Sequence, residues 1–235
     1  MDKVRGCPVG QQGINYLIPL IILPYLVRVL GHSEYGALGL SFTIVQYILL
    51  FTDFGFNLRS SRDIARNKYD IDYVNQVFSA TICIKLFFSL LSIILLVFLI
   101  YGIGVFYEIR WVVFCGLVYV FGSVLTPIWL FQGLEKVVIF SVFTTVFKIL
   151  TIPLVFLFVK SDSDADITIF IQGFVFLFTG VFSIFYAFKK FEISFVLVRL
   201  RYIKDTIKNS SVIFVGTIAV SLYTLSTPYS FRLDE

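Results

Sequence analysis

Four charged residues sit where hydrocarbon is expected, and they set the chemistry open to this chain. Arg28, Lys85 and Lys148 each interrupt a long apolar run, and Asp53 lies near the end of another. Lys148 is about 11 residues into its run, roughly 17 Å deep at helical rise and near the middle of a bilayer. Lys85 is about 8 residues in, roughly 12 Å from the nearer surface. A cation inside hydrocarbon costs at least a few kcal/mol, so such residues snorkel to a surface, find an acid, or face a polar interior. Arg28 and Lys85 are open to snorkelling. Lys148 is too central for that and calls for a polar interior. Asp53 is the one comparable acid and a charge partner for these cations. Three cations against one acid make a net positive cavity, which suits an anionic passenger.

Other chemistry is poorly supplied. The three cysteines, Cys7, Cys83 and Cys115, are far apart and form no C-x-x-C pair, so neither a metal site nor a disulfide framework is indicated. His32 and Glu34 share a short loop, an ordinary occurrence, and no Ser-His-Asp, His-rich or Gly-rich phosphate motif appears. No catalytic residue, metal or cofactor is expected, and nothing points to nucleic acid. The first apolar run is long and lacks an A-x-A-like site, so it does not read as a cleavable signal peptide.

The elements that must position these charges read as membrane spans. The chain is 58% hydrophobic and 14% charged, against about 25% charged in a soluble domain. An all-α, polytopic membrane protein is expected: a six-helix N-terminal bundle plus a partial seventh helix. The spans fall at about 11–30, 37–56, 77–101, 110–132, 137–159 and 167–188. The bundle takes in 1–188, with Met1 to Gly10 as a polar tail. A basic linker, 189–208, mixes apolar and cationic residues in a pattern suited to the membrane surface. Residues 209–235 begin a second lobe and look truncated. Pro19 and Pro24 interrupt the first span, leave the carbonyls of Asn15 and Leu20 without donors, and should bend it. Trp129, closing the fourth span, suits an interface.

Loop charge sets the orientation. Loops 57–76, 133–136 and 189–208 hold four, one and six lysines plus arginines, whereas 31–36, 102–109 and 160–166 hold none, none and one. By the positive-inside rule the first set and the N-terminus are cytoplasmic.

Several stretches resemble one family in order and spacing. They are P-Y-L-V-R-V-L-G with E-Y-G around residues 24–36, D-F-G-F with R-D-I-A-R around 53–66, P-I-W-L-F-Q-G-L-E-K at 127–136, and I-A-V-S-L-Y-T at 218–224. Together they resemble Wzx-type flippases of O-antigen and other polysaccharide repeat units, over roughly residues 11 to 227. These belong to the superfamily that includes multidrug extruders. The resemblance implies two six-helix lobes around a cavity open alternately to either side, so this chain is half of a two-lobe exporter fold that stops in its seventh helix. It implies a multi-pass protein of the bacterial inner membrane and no enzyme. The implied passenger is an undecaprenyl-diphosphate-linked oligosaccharide, with membrane lipid, a polysaccharide polymerase and chain-length proteins as partners. By the match Arg28 is a cavity arginine; Lys85 and Lys148 are inferred from depth alone. The alternatives are a multidrug/cation antiporter, which needs carboxylates, and a membrane-bound glycan-processing enzyme.

The orientation is testable. Ser33→Cys and Ser163→Cys are expected to react with an impermeant thiol reagent outside intact cells, and Ser61→Cys to stay silent. Labelling at position 61 with silence at 33 would invert the topology.

Overall fold

A computed structural model describes residues 6–104 and 106–230, with side chains described between 17 and 216 except at 105 and 215. The described residues form eight helices and no strand: α1 Gly6–Asp53, α2 Phe56–Arg66, α3 Ile71–Gly102, α4 Arg110–Leu125, α5 Ile128–Gly133, α6 Val137–Phe158, α7 Ala165–Lys190 and α8 Leu200–Ser230. Five helical stretches among them are long and apolar enough to cross a membrane. The chain is an all-α polytopic membrane protein, and its large exposed side chains, such as Leu20, Phe87, Ile94 and Phe185, are those of a lipid-facing surface.

The first and second runs form one element. α1 is 48 residues long, and its one departure from helical dihedrals is Gly31, at φ 72°, ψ 178°. That backbone is open to glycine and strained for other residues, although a Cβ there would meet nothing within 4 Å. The loop expected at 31–36 thus shrinks to a single residue. Unbroken, α1 would hold Ile18 and Phe42 about 36 Å apart, yet both line one cavity, so the limbs before and after Gly31 return alongside one another. Pro19 and Pro24, where the bend was expected, keep helical dihedrals. Residues 6–10, expected to be tail, are already helical; residues 1–5 of that tail lie outside the described chain.

Other boundaries shift for local reasons. α3 begins at Ile71, six residues ahead of the apolar run, because the Asp70 carboxylate accepts the Tyr73 amide at 3.0 Å and caps it. The first half of loop 57–76 is helix α2, which buries Phe56, Ser60 and Ile64 on one face and carries Arg59, Arg62 and Arg66 on the rest. The fourth run breaks at Thr126–Pro127, since proline bars the helical conformation from the residue before it. The resulting short α5 packs on α2 so closely that a Cβ on Gly133 would sit 2.6 Å from Ile64. Trp129 on α5 is fully buried and packs on Phe78 at 5.8 Å, not at an interface as its type had indicated. Lys68 donates to Glu135 at 3.1 Å across the α2–α3 and α5–α6 turns, and that hydrogen bond raises its ammonium above the ordinary value.

The basic linker 189–208 also divides. Its start is the end of α7, its end is the start of α8, and only residues 191–199 leave the helix. There the Ser194 amide donates to Asn75 Oδ1 and the Val196 amide to Ser79 Oγ, both at 2.9 Å. Two residues of extended chain advance about 6.6 Å and one four-residue turn of helix about 6 Å. Alternate amides of this strap therefore meet side chains one turn apart on α3. α8 is then fixed by Arg59, which donates to the carbonyls of Asp205, at 2.8 Å, and Thr206 while pairing with Asp63 at 3.3 Å. Burial, and then Tyr73 beside it, push the Tyr202 phenol above its usual range.

The tightest seam joins α4 and α7. A Cβ on Gly122 would lie 2.8 Å from the Leu177 backbone, one on Gly173 2.8 Å from that of Tyr119, and one on Gly180 2.9 Å from that of Leu125. Small residues let these backbones touch, the usual means of association where lipid leaves no hydrophobic drive. Gly122→Val and Gly173→Val are each expected to destabilise the purified protein by about 1–3 kcal/mol, read as a lower thermal unfolding midpoint. Gly36→Ala, in open space, should leave the midpoint near wild type. Unchanged midpoints for both valine variants would refute the seam.

Candidate functional site

Lys148 lies on α6 with Thr144 one turn before it and Thr151 one turn after, on the same face. These three border a cavity of about 290 Å³ inside the bundle. Ile18, Pro19, Ile22, Leu23 and Leu26 come from the first limb of α1, and Tyr35, Leu38, Gly39 and Phe42 from the second. α7 supplies Gln172, Val175, Phe176 and Thr179, and α4 supplies Tyr119, whose ring stacks on Phe176 at 4.5 Å. The cavity exists because Gly31 folds α1 back and because the glycine seam fixes α4 and α7 beside it. Lys148 is half-buried.

The polar groups of the wall are unequal. Thr144 and Thr179 spend their hydroxyl protons on the backbone carbonyls of Ser141 and Val175, both at 2.9 Å. The side chains suited to an anion are then the Lys148 ammonium, the Gln172 amide and the Tyr119 hydroxyl. None of the described residues around the cavity is acidic. The arrangement can hold an anion by charge-assisted hydrogen bonds in apolar surroundings, where they are strong. Among the described residues no three of His, Cys, Asp and Glu come together as metal ligands.

The expected charges do not converge. Lys85 is far from snorkelling: it is 1% exposed, pairs with Asp53 Oδ1 at 3.1 Å and donates to Asn57 Oδ1 at 2.7 Å. Asp53 is thus the partner of Lys85, at the junction of α1, α2 and α3. Arg28 is exposed and does not line the Lys148 cavity. At 100° per residue it points about 150° away from the five residues of its limb that do. Pro19 is in the wall, whereas Pro24 is exposed and outside it. Depth alone had left out Thr144, Thr151, Gln172 and Thr179, yet their spacing was visible: polar residues at i−4 and i+3 from Lys148, and a polar pair two turns apart on the next apolar helix.

Comparison with known proteins adds to this geometry. A family model described as "Polysaccharide biosynthesis protein" matches residues 9–232. A protein of Escherichia coli (strain K12) named "Putative O-antigen transporter" is 30% identical over 213 residues, covering 91% of this chain and 51% of that protein. One of the same name from Shigella dysenteriae is 32% identical over 213 residues, 90% of this chain and 53% of its own length. The chain spans about half the length of the curated relatives it matches. No solved structure matches it.

The Lys85 pair has a measurable consequence. Removing one partner of a buried ion pair costs about 3–5 kcal/mol; the side chain of Asp53 is 33% exposed, so the lower end applies. Lys85→Met should lower the thermal midpoint sharply, and Lys85→Met with Asp53→Asn should recover part of the loss. Additive effects in that double-mutant cycle would show the two do not interact.

Proposed function

The chain belongs to the polysaccharide biosynthesis protein family, and on that premise we propose that it forms one lobe of a lipid-linked oligosaccharide flippase. The passenger is an undecaprenyl-diphosphate-linked repeat unit of O-antigen or a related polysaccharide. It moves from the cytoplasmic to the periplasmic face of the inner membrane, with the N-terminus and the arginine-bearing α2 on the cytoplasmic side. One observation carries the reading. Lys148, near the middle of its apolar run, lines a cavity whose described wall holds neutral donors and no acid. A diphosphate needs positive charge and hydrogen-bond donors in water-poor surroundings, and this cavity offers both. About 290 Å³ accommodates a phosphate head, so the sugars and polyprenyl chain extend beyond it, as they would in a site shared between two lobes.

The antiporter alternative fits less well, since exchange of sodium or protons calls for a carboxylate and the acid nearest the membrane interior, Asp53, is engaged by Lys85. The two lysines have distinct roles in this reading: Lys148 meets the passenger, and Lys85 holds the junction of α1, α2 and α3. Arg28, outside this cavity, does not contribute to it.

Binding separates these roles without requiring transport. The purified chain in detergent is titrated with a polyprenyl diphosphate carrying a short glycan. Lys148→Ala should weaken binding by at least tenfold, Lys148→Arg should retain part of it, and Arg28→Ala should leave it near wild type. Wild-type affinity in Lys148→Ala would overturn the assignment, and a larger loss in Arg28→Ala would move the anion site to the outer face of α1.

A further inference from the structure

The strap and the start of α8 bear an exposed surface that the Lys148 cavity does not use. Phe195, Leu197 and Leu200 are exposed, Leu197 completely so at 104%. Interleaved with them, residues 199–208 carry Arg199, Arg201, Lys204 and Lys208 against the single acid Asp205, a local balance of four minus one. Fully exposed leucines among cations are costly in water and natural at a bilayer surface, where the apolar groups enter the acyl boundary and the cations stay with the head groups.

Beside this surface lies an apolar groove. Cys83, Ile84 and Phe87 of α3 form one wall and Ile203 and Ile207 of α8 the other, around a volume of about 190 Å³. Ile203 and Ile207 stack one turn apart, and Lys204 and Lys208, both exposed, stack beside them about 100° further round α8. The strap hydrogen bonds to Asn75 and Ser79 and the Arg59 contact hold α8 at this distance from α3, so the groove is a fixed feature. An apolar slot flanked by two lysines one turn apart is complementary to one kind of molecule: an acyl chain ending in a phosphate head group.

We propose that the α3–α8 groove is a binding site for an anionic phospholipid. One acyl chain lies between Phe87 and Ile207, and the head-group phosphate pairs with Lys204 and Lys208. The proposal is independent of the Lys148 assignment and adopts from the proposed function only the placing of this end at the cytoplasmic leaflet. A basic residue at a membrane surface favours an anionic lipid by about fivefold, so two lysines on one head group give a preference well above that of the surrounding lipid.

The test reads the groove itself. Cys83 is exposed and takes a bimane fluorophore in a chain carrying Cys7→Ser and Cys115→Ser. The labelled protein is reconstituted in phosphatidylcholine vesicles containing increasing fractions of chain-brominated phosphatidylglycerol or chain-brominated phosphatidylcholine. Both leaflets have the same composition, so orientation does not enter. Half-maximal quenching is expected at a phosphatidylglycerol fraction at least fivefold below that for phosphatidylcholine, and Lys204→Gln with Lys208→Gln should bring the two curves together. Equal quenching by both lipids in the otherwise unmutated labelled chain would overturn the proposal. So would a preference that survives the double substitution, or an absence of quenching by either lipid, which would mean that protein fills the groove.

Discussion

An ammonium in the middle of a bilayer must be kept from lipid, and this bundle meets that constraint twice in different ways. Lys85 is paired: it forms an ion pair with Asp53, donates a hydrogen bond to Asn57 Oδ1 and is almost fully buried. Lys148 is given room, at the edge of a cavity between α1, α4, α6 and α7. The first solution fixes three helices together and leaves little chemistry available. The second places a charge beside a cavity at a depth in its run where a charge is costly. Much of the remaining architecture follows from maintaining that cavity. Without the reversal at Gly31 it would lose one limb of α1, and without the glycine contacts between α4 and α7 it would lose its floor.

The charges and the spans were legible in the sequence, because hydropathy and helical rise are properties of single runs. Depth alone singled out Lys148, which borders a cavity of largely apolar lining. The direction of Arg28 did not follow, because depth fixes height along a helix and says nothing of rotation about it; rotation depends on which neighbours pack where. Had the first limb been read as a wheel, Ile18, Ile22 and Leu26 would have shared a face and Arg28 would have fallen opposite. Its place among the expected cavity cations came from resemblance, which transfers position in the chain without the local packing.

The misread boundaries share a physical origin. Hydropathy marks where hydrocarbon begins, whereas helices end where caps and steric conflicts end them. Asp70 starts α3 in water, Pro127 stops α4 inside the bundle, and Gly31 turns the chain with one residue where six were expected. The pairing of Asp53 with Lys85 and the burial of Trp129 both depend on α2 and α5 folding back on the bundle; α2 is short and polar, and α5 is the tail of the fourth apolar run, so hydropathy marks neither as a separate element. The strap escaped for another reason. Its partners, Asn75 and Ser79, read as ordinary polar residues near a helix start, and only the matched advance of extended chain and helix turn gives them a task.

The same matching of unlike elements recurs between α1 and α6. The Tyr25 hydroxyl donates to the Val159 carbonyl at 2.7 Å, and its ring lies 4.3 Å from that of Phe156. Val159 follows the last turn of α6, where carbonyls have no partner within the helix, and Pro153 has already taken one donor from that helix. A tyrosine from the first limb of α1 therefore completes the end of α6 and ties together two elements that both line the Lys148 cavity. Arg28 follows this tie by three residues, is exposed and does not line the cavity. The hydrogen bond thus helps fix the rotation of the first limb of α1, whose Ile18, Ile22 and Leu26 line the cavity while Arg28 does not.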